Sequence, residues 1–330
     1  MRKIVIGFAF FAILGVAAYL RFHHSKPPME VVYAGNRRVT LYSTTAQVRE
    51  PVTTVSFGDR LDVLNRFQDE VEVRTEKGAR GWVSERELLS SEIWEEAREL
   101  TNKAAAMPVE ARGHTRVLGN LHVDAGRDTP RVRQLAKDTP LDLLARKPVS
   151  VSPSHPSSEE ETSAPASARK EDWWLVVARP PDQGTVAGWM LGRFIELDVP
   201  APLPDYASSA GMRIVAWFEL NRVQDLAGNP KVQYLVAGAK GPEGQACDFN
   251  LLRVYTWGVK HNRYETAFVD SSVCGKLPVE VAPAPSANLT FSFEDLSNVT
   301  PEKRVYRMQQ TIVRRVKQGD LATPRLHAHR

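Results

Sequence analysis

Cysteine is scarce in this 330-residue chain: Cys247 and Cys274 are too few for a disulfide-dense scaffold or a four-thiolate zinc site. Glycine and proline, at 20 and 22 residues, stay well short of the roughly 25–30% that marks low-complexity sequence, so the chain is expected to fold. An excess of one charge is missing as well. Lys and Arg number 43 against 39 Asp and Glu, with no dense basic block before the tail, which argues against nucleic acid as a partner despite a pI near 9.0. Local catalytic signatures are absent: there is no Gly-x-Ser-x-Gly elbow, no Gly-x4-Gly-Lys-Ser/Thr loop and no His-Glu-x-x-His. The histidines are scattered, and His114, His122 and His261 each stand alone in sequence. The glycine-rich stretch from Gly238 to Gly244 contains Pro242 and no following helical pattern, and reads as an ordinary turn. No catalytic residue, metal site or cofactor is expected.

Long hydrophobic runs are also lacking after the first thirty residues. Ile4 to Leu20 is free of charge, preceded by Arg2 and Lys3 and ended by Arg21. Its seventeen residues lie near the lower limit for spanning a bilayer and slightly above the usual core of a signal peptide. Residues 1–28 are therefore expected to act as a signal anchor or a signal peptide. The body would then lie outside the cytoplasm, anchored in the inner membrane through Ile4 to Leu20, or secreted if the segment is cleaved. In such an oxidising compartment, Cys247 and Cys274 are expected to form a disulfide.

What is present is an internal repeat. Gly58-Asp59-Arg60-Leu61-Asp62-Val63-Leu64 is echoed by Asp138-Thr139-Pro140-Leu141-Asp142-Leu143-Leu144, and Gly81-Trp82-Val83 by Gly188-Trp189-Met190. Short period-two runs accompany both copies, such as Val71-Val73 and Trp174-Val176, and these are the mark of half-buried strands. The second copy carries extra residues at 147–170, rich in Pro, Ser and Glu, which read as a disordered insertion. Strands this short bury a face only by curling into a small barrel. The order of an opening strand, a Gly-Asp-x-Leu-x-Val strand, a hairpin and Gly-Trp-Val-x4-Leu resembles the bacterial SH3 (SH3b) family. One copy spans about residues 31–90 and the other 115–198. The second also looks like the eukaryotic SH3 pattern at Asp172-Trp173-Trp174-Leu175. Where the family has Arg-Ser-Gly after its first strand, this chain has Tyr42-Ser43-Thr44 and Asp124-Ala125-Gly126.

Residues 91–112 read as a helical spacer capped by Ser90 or Ser91, with an apolar stripe of Ile93, Ala97, Leu100 and Ala104 able to dock on either barrel. Residues 199–211 form a Pro-rich linker. From 212 to 318 the pattern restarts with Ile214 to Phe218, Val232 to Val236, Leu251 to Val259, Tyr264 to Val269 and Leu289 to Phe293, as in a β-sandwich-like domain. Residues around Tyr306 and Ile312 read as a final strand pair rather than a helix, and 319–330 as a flexible basic tail. The fold class expected is thus mainly β: an N-terminal membrane helix, two small SH3-like barrels and a C-terminal sandwich-like domain.

The candidate site is aromatic. Strand alternation would turn Trp174 inward and Trp173 outward, where with Phe194 it would form an amphipathic platform. The SH3 resemblance implies that Trp173 and Phe194 line a peptide groove, with Tyr42 the candidate in the first copy, where Glu70 lies near the position of Trp173. Trp82 and Trp189 are expected in the barrel cores. The function expected is that of a non-enzymatic binding protein of the bacterial envelope, its SH3b modules recognising cell-wall peptidoglycan or an envelope protein. The alternatives are an assembly scaffold whose groove is filled by Pro200 to Pro204 as a polyproline II segment, or an exported hydrolase targeted by its SH3b modules.

Overall fold

The computed structural model describes residues 29–151, 169–180, 184–283 and 289–316. The apolar run Ile4 to Leu20, most of the insertion and the basic tail lie outside these residues. Among the described residues no helix is long and apolar enough to cross a membrane. The protein is mainly β and divides into two compact units, one ending at Glu96 and one beginning at Ala97.

The first unit contains β1 (Glu30–Ala34), β2 (Arg38–Tyr42), β3 (Pro51–Ser56), β4 (Arg60–Phe67), β5 (Glu70–Thr75), β6 (Arg80–Ser84) and β7 (Leu88–Ser90), with a one-turn 3-10 helix at Glu85–Glu87. Helix α1 (Ser91–Ala104) follows, and Ser90 Oγ accepts the Ile93 amide at 3.2 Å as its cap. The seven strands pair in the order β3-β2-β6-β5-β4-β1-β7 around a core that includes Val39, Leu41, Leu61, Val63, Val73 and Val83. At the start of α1, Trp94 stacks on Tyr33 with centroids 4.8 Å apart and covers Gly58.

The second unit repeats this plan with β8 (Ala111–Thr115), β9 (Gly119–His122), β10 (Arg131–Leu135), β11 (Pro140–Ser150), β12 (Lys170–Ala178), β13 (Val186–Leu191) and β14 (Ile195–Leu197), and a 3-10 turn at Gly192–Phe194. The order is β10-β9-β13-β12-β11-β8-β14, the first order shifted by seven strands. The correspondence extends to single bonds. The Gly58 amide donates to Ala34 O and the Asp138 amide to Thr115 O, while the Gly35 amide donates to Glu87 O and the Arg116 amide to Phe194 O. Both copies place a β-bulge at the same step, between Val63 and Asn65 and between Leu143 and Ala145. Gly81 and Gly188 are equivalent for a steric reason: a Cβ on either would lie 2.8 Å from the Cβ of Leu41 or Leu121. The bonded register also corrects the sequence alignment, because Tyr42 pairs with Trp82 as His122 pairs with Trp189. Tyr42 thus matches His122 rather than Asp124. The insertion is shorter than 147–170, since β11 and β12 stay paired out to Ser150 and Lys170.

The second unit then adds helix α2 (Leu203–Ser209) and β15 (Arg213–Gln224), β16 (Pro230–Ala239), β17 (Leu251–Gly258), β18 (Arg263–Asp270), β19 (Gly275–Pro283), β20 (Leu289–Asp295), β21 (Glu302–Gln309) and β22 (Ile312–Val316). These form two antiparallel meanders, β15 to β18 and β19 to β22. An aromatic core joins them: Phe268 of the first meets Tyr306 of the second at 5.6 Å, and Phe291 stacks on Tyr306 at 5.0 Å. The expected final strand pair is present, while β19, with Pro278 inside it, escaped the sequence reading. Pro200 to Pro204 is not a polyproline II segment. Pro202 follows a cis bond and sits at φ −102, ψ 25, and the chain enters α2, whose Leu203 and Ala207 are buried on the first meander. Residues 199–211 therefore belong to the C-terminal region rather than to a linker. Cys247 and Cys274 are disulfide-bonded with Cα atoms 4.9 Å apart, and closing that loop of 27 residues stabilises the fold by about 3–4 kcal/mol in the chain-entropy description.

Candidate ligand-binding surfaces

In the second repeat the expected platform is closed. Trp173 is 3% exposed, packed with Ala125, Leu191 and Phe194 and edge-on to His122 at 5.3 Å. The reason is local. In β12 every residue from Glu171 to Ala178 is buried, on both faces. The outward-facing Leu175 and Val177 are covered by Leu100, Ala104 and Met107 from α1 and the residues after it, and the Thr101 hydroxyl accepts the Ala187 amide at 3.0 Å. Around Trp173 the loop after β9 closes the rest, held by the Arg127 guanidinium on Glu171 (2.9 Å) and by the His122 ring on Thr129 O (2.9 Å). The apolar run Trp173-Trp174-Leu175-Val176-Val177 was the available signal, because a strand that is apolar at every position is one buried on both faces. Phe194 is half-buried, with the Arg193 guanidinium 5.3 Å above its ring.

In the first repeat the same face is open. Strand β5 alternates, with Val71 and Val73 inward and Glu70 and Glu72 turned out. Beside them Tyr42 and Trp82 are paired across β2 and β6, both half-buried. Trp82 and Trp189 are thus outer-face residues and not core, since their neighbours Val83 and Met190 fill the interior. The Arg49 guanidinium lies 4.0 Å from the Tyr42 ring centre and pairs with Glu70 at 3.2 Å, while Val48 on the same loop is 93% exposed. Aromatic faces edged by a guanidinium and carboxylates form a surface suited to polar ligands that also offer apolar ring faces or side chains.

No family model matches this chain, and no curated protein matches it. Among solved structures it is similar to an NlpC/P60 family protein from Bacillus cereus ATCC 10987, at 12% identity and a TM-score of 0.22, covering 72% of this chain and 93% of that one. It is also similar to NlpC2 from Trichomonas vaginalis, at 8% identity and a TM-score of 0.18, covering 73% of this chain and 93% of that one. Similarity this distant transfers neither fold nor activity.

A second surface lies where the repeat meets the C-terminal meanders. Arg146, with a side chain 2% exposed, donates to Asp172 (2.6 Å), Asp248 (2.9 Å), Cys247 O (3.1 Å) and Gln245 O (3.0 Å). Asp172 also accepts the Gly244 amide at 2.8 Å. The stretch from Gly238 to Gly244, read as a simple turn, thus leads directly into the loop that locks the C-terminal region to the repeat. Glu110 is buried at this seam, its carboxylate accepting the Val279 amide at 3.4 Å, and burial pushes it up to about 7. Close by is a cavity of about 620 Å³ lined by Trp174, Leu197, Ser208, Met212 and Arg213 among others. Among the described residues no group of three or more His, Cys, Asp or Glu is placed to hold a metal.

Proposed function

We propose that this chain is a non-enzymatic, extracytoplasmic binding protein of the bacterial envelope, built from two SH3-like (SH3b) barrels and a sandwich-like C-terminal domain and held at the membrane by its N-terminal apolar segment. In this reading the first barrel binds cell-wall peptidoglycan through Tyr42 and Trp82. The second barrel, whose equivalent face is filled by Trp173, serves as the base for the C-terminal domain. The observation that carries the reading is the contrast between two copies of one topology, one open and aromatic-polar, the other sealed by its own chain. The disulfide between Cys247 and Cys274 supports export.

Co-sedimentation of the full chain with purified peptidoglycan sacculi at physiological salt tests this. Saturable binding is expected to weaken about tenfold in Tyr42→Ala and in Trp82→Ala, which fits the roughly 1.4 kcal/mol of a single ring contact. Sedimentation no greater than that of a basic control protein would sink the peptidoglycan reading.

A further inference from the structure

The 620 Å³ cavity is bordered by the terminal strands of two different sheets. β14 closes the order of the second repeat and β15 opens that of the first C-terminal meander, and both line the cavity, β14 through Ile195, Glu196 and Leu197 and β15 through Arg213, Ile214 and Val215. The register of β14 fixes which backbone groups are free. The Arg116 amide donates to Phe194 O and the Asp198 amide to Arg112 O, so Phe194, Glu196 and Asp198 bond inward to β8. The backbone groups of Ile195 and Leu197 then point away from β8, toward the open edge. The Ile195 amide is taken by Gly192 O, which among the described residues leaves Ile195 C=O and both groups of Leu197 for an incoming strand. The volume falls within the range of ligand cavities, and β14 offers about 10 Å of edge at roughly 3.3 Å per residue.

The lining defines the occupant. Trp174 is 6% exposed and its indole N–H makes no hydrogen bond among the described residues, while Met212 and Val215 supply apolar wall. Both signs of charge stand at the rim: Arg213, whose side chain is 41% exposed and lies 3.6 Å from Asp172, and the exposed Glu196. We infer that this cleft takes an extended peptide segment of a partner protein, paired by its backbone to β14 and placing an apolar side chain against Trp174, with polar neighbours meeting Arg213 and Glu196. This interaction is independent of the first repeat and goes beyond the wall-binding reading.

The test pans a display library of random ten-residue peptides against the full chain and measures the affinity of enriched peptides for three variants. Leu197→Pro removes the outward amide, and with it the leucine side chain that lines the cleft, at an edge position where proline is tolerated, and Ser208→Trp fills the cleft from an exposed site on α2. Both are expected to lower affinity at least tenfold, with thermal midpoints within a few degrees of wild type, while Tyr42→Ala leaves it unchanged. Hydrogen exchange of the Leu197 amide should slow at least tenfold in the peptide complex. Sacculus binding should be unaffected by Leu197→Pro, which separates this inference from the peptidoglycan reading. Panning without enrichment, peptides that keep their affinity in either folded variant, or an unprotected Leu197 amide overturns the inference.

Discussion

Arg66 and Arg146 occupy the same place in the two repeats, one step beyond the shared bulge, and have opposite fates. Arg66 is a surface residue that bridges Glu30, at 2.8 Å, and Glu85, with 37% of its side chain exposed. Arg146 is sealed between two carboxylates and two carbonyls. Asp69 and Asp172 differ in the same way, the first 80% exposed at its side chain and the second 2%. One backbone plan thus supports either a solvated face or an interior one, and the choice lies in the outward residues: Glu70 and Glu72 in the first copy, Trp173 and Leu175 in the second. Once apolar side chains point outward, other parts of the chain must cover them, and the ionic groups at the rim of that covering become buried.

The largest test of this contrast is truncation of the two arginines. Arg146→Ala leaves Asp248 buried without a cation and Asp172 with only the more distant, partly exposed Arg213 at 3.6 Å, and is expected to cost about 3–5 kcal/mol. Arg66→Ala removes two exposed ion pairs and is expected to cost less than about 1 kcal/mol. Denaturant unfolding of each variant measures both, and equal losses would break the comparison.

The next effect comes from the residues that set the faces apart. Trp173→Ala is expected to destabilise by about 3 kcal/mol, the low end for a buried Trp, because its cluster is small and lies near the surface. Glu70→Ala, at the equivalent site, is expected to cost about 0.5 kcal/mol through its ion pair with Arg49. A Trp173 variant as mild as the Glu70 variant would show that the second face is less sealed than its packing implies.

Much of this was legible before the structure. The echo of Gly58 to Leu64 in Asp138 to Leu144, and of Gly81-Trp82 in Gly188-Trp189, located both copies, because a bulge and a close glycine contact constrain residue type strongly. Position Gly58 and its match Asp138 both adopt positive φ, at 84° and 62°, and glycine and aspartate are among the residues that tolerate it. The final strand pair was legible from β-branched alternation. Alternation does turn Trp173 outward, and its burial follows from a run that is apolar at every position, the pattern of a strand covered on both faces. The burial of Arg146 and Asp172 had no local signal at all: the loop that covers them, containing Gly244, lies about a hundred residues from Arg146 and 72 from Asp172, and only tertiary contact turns a surface arginine into an interior one. The cleft was invisible for the same reason, being formed by the ends of two sheets.

The smallest effect sharpens the comparison by pH. Met29 and Glu110 are equivalent, since the Met29 amide donates to Val63 O and the Glu110 amide to Leu143 O, yet the methionine is 65% exposed and the glutamate 3%. No cation pairs with Glu110 among the described residues. Its carboxylate faces the Val279 amide on β19 and the charge of Asp248, which raises it further, while Arg146 is spent on Asp248 and Asp172. With the folded value near 7 and the unfolded one near 4.5, the folded protein holds this proton more tightly. The stabilisation is therefore fully present below about pH 4.5 and is lost as pH rises through 7. Asp270 and Asp295 are held below the ordinary carboxylate value, so their contribution is lost in more acidic solution, below the window in which Glu110 acts. Unfolding measured from pH 5 to 7.5 should show the second unit losing roughly 1–3 kcal/mol, and Glu110→Gln should flatten that slope. A slope unchanged in Glu110→Gln would place the titrating group elsewhere, and a comparable slope in the first unit would remove the distinction between the copies.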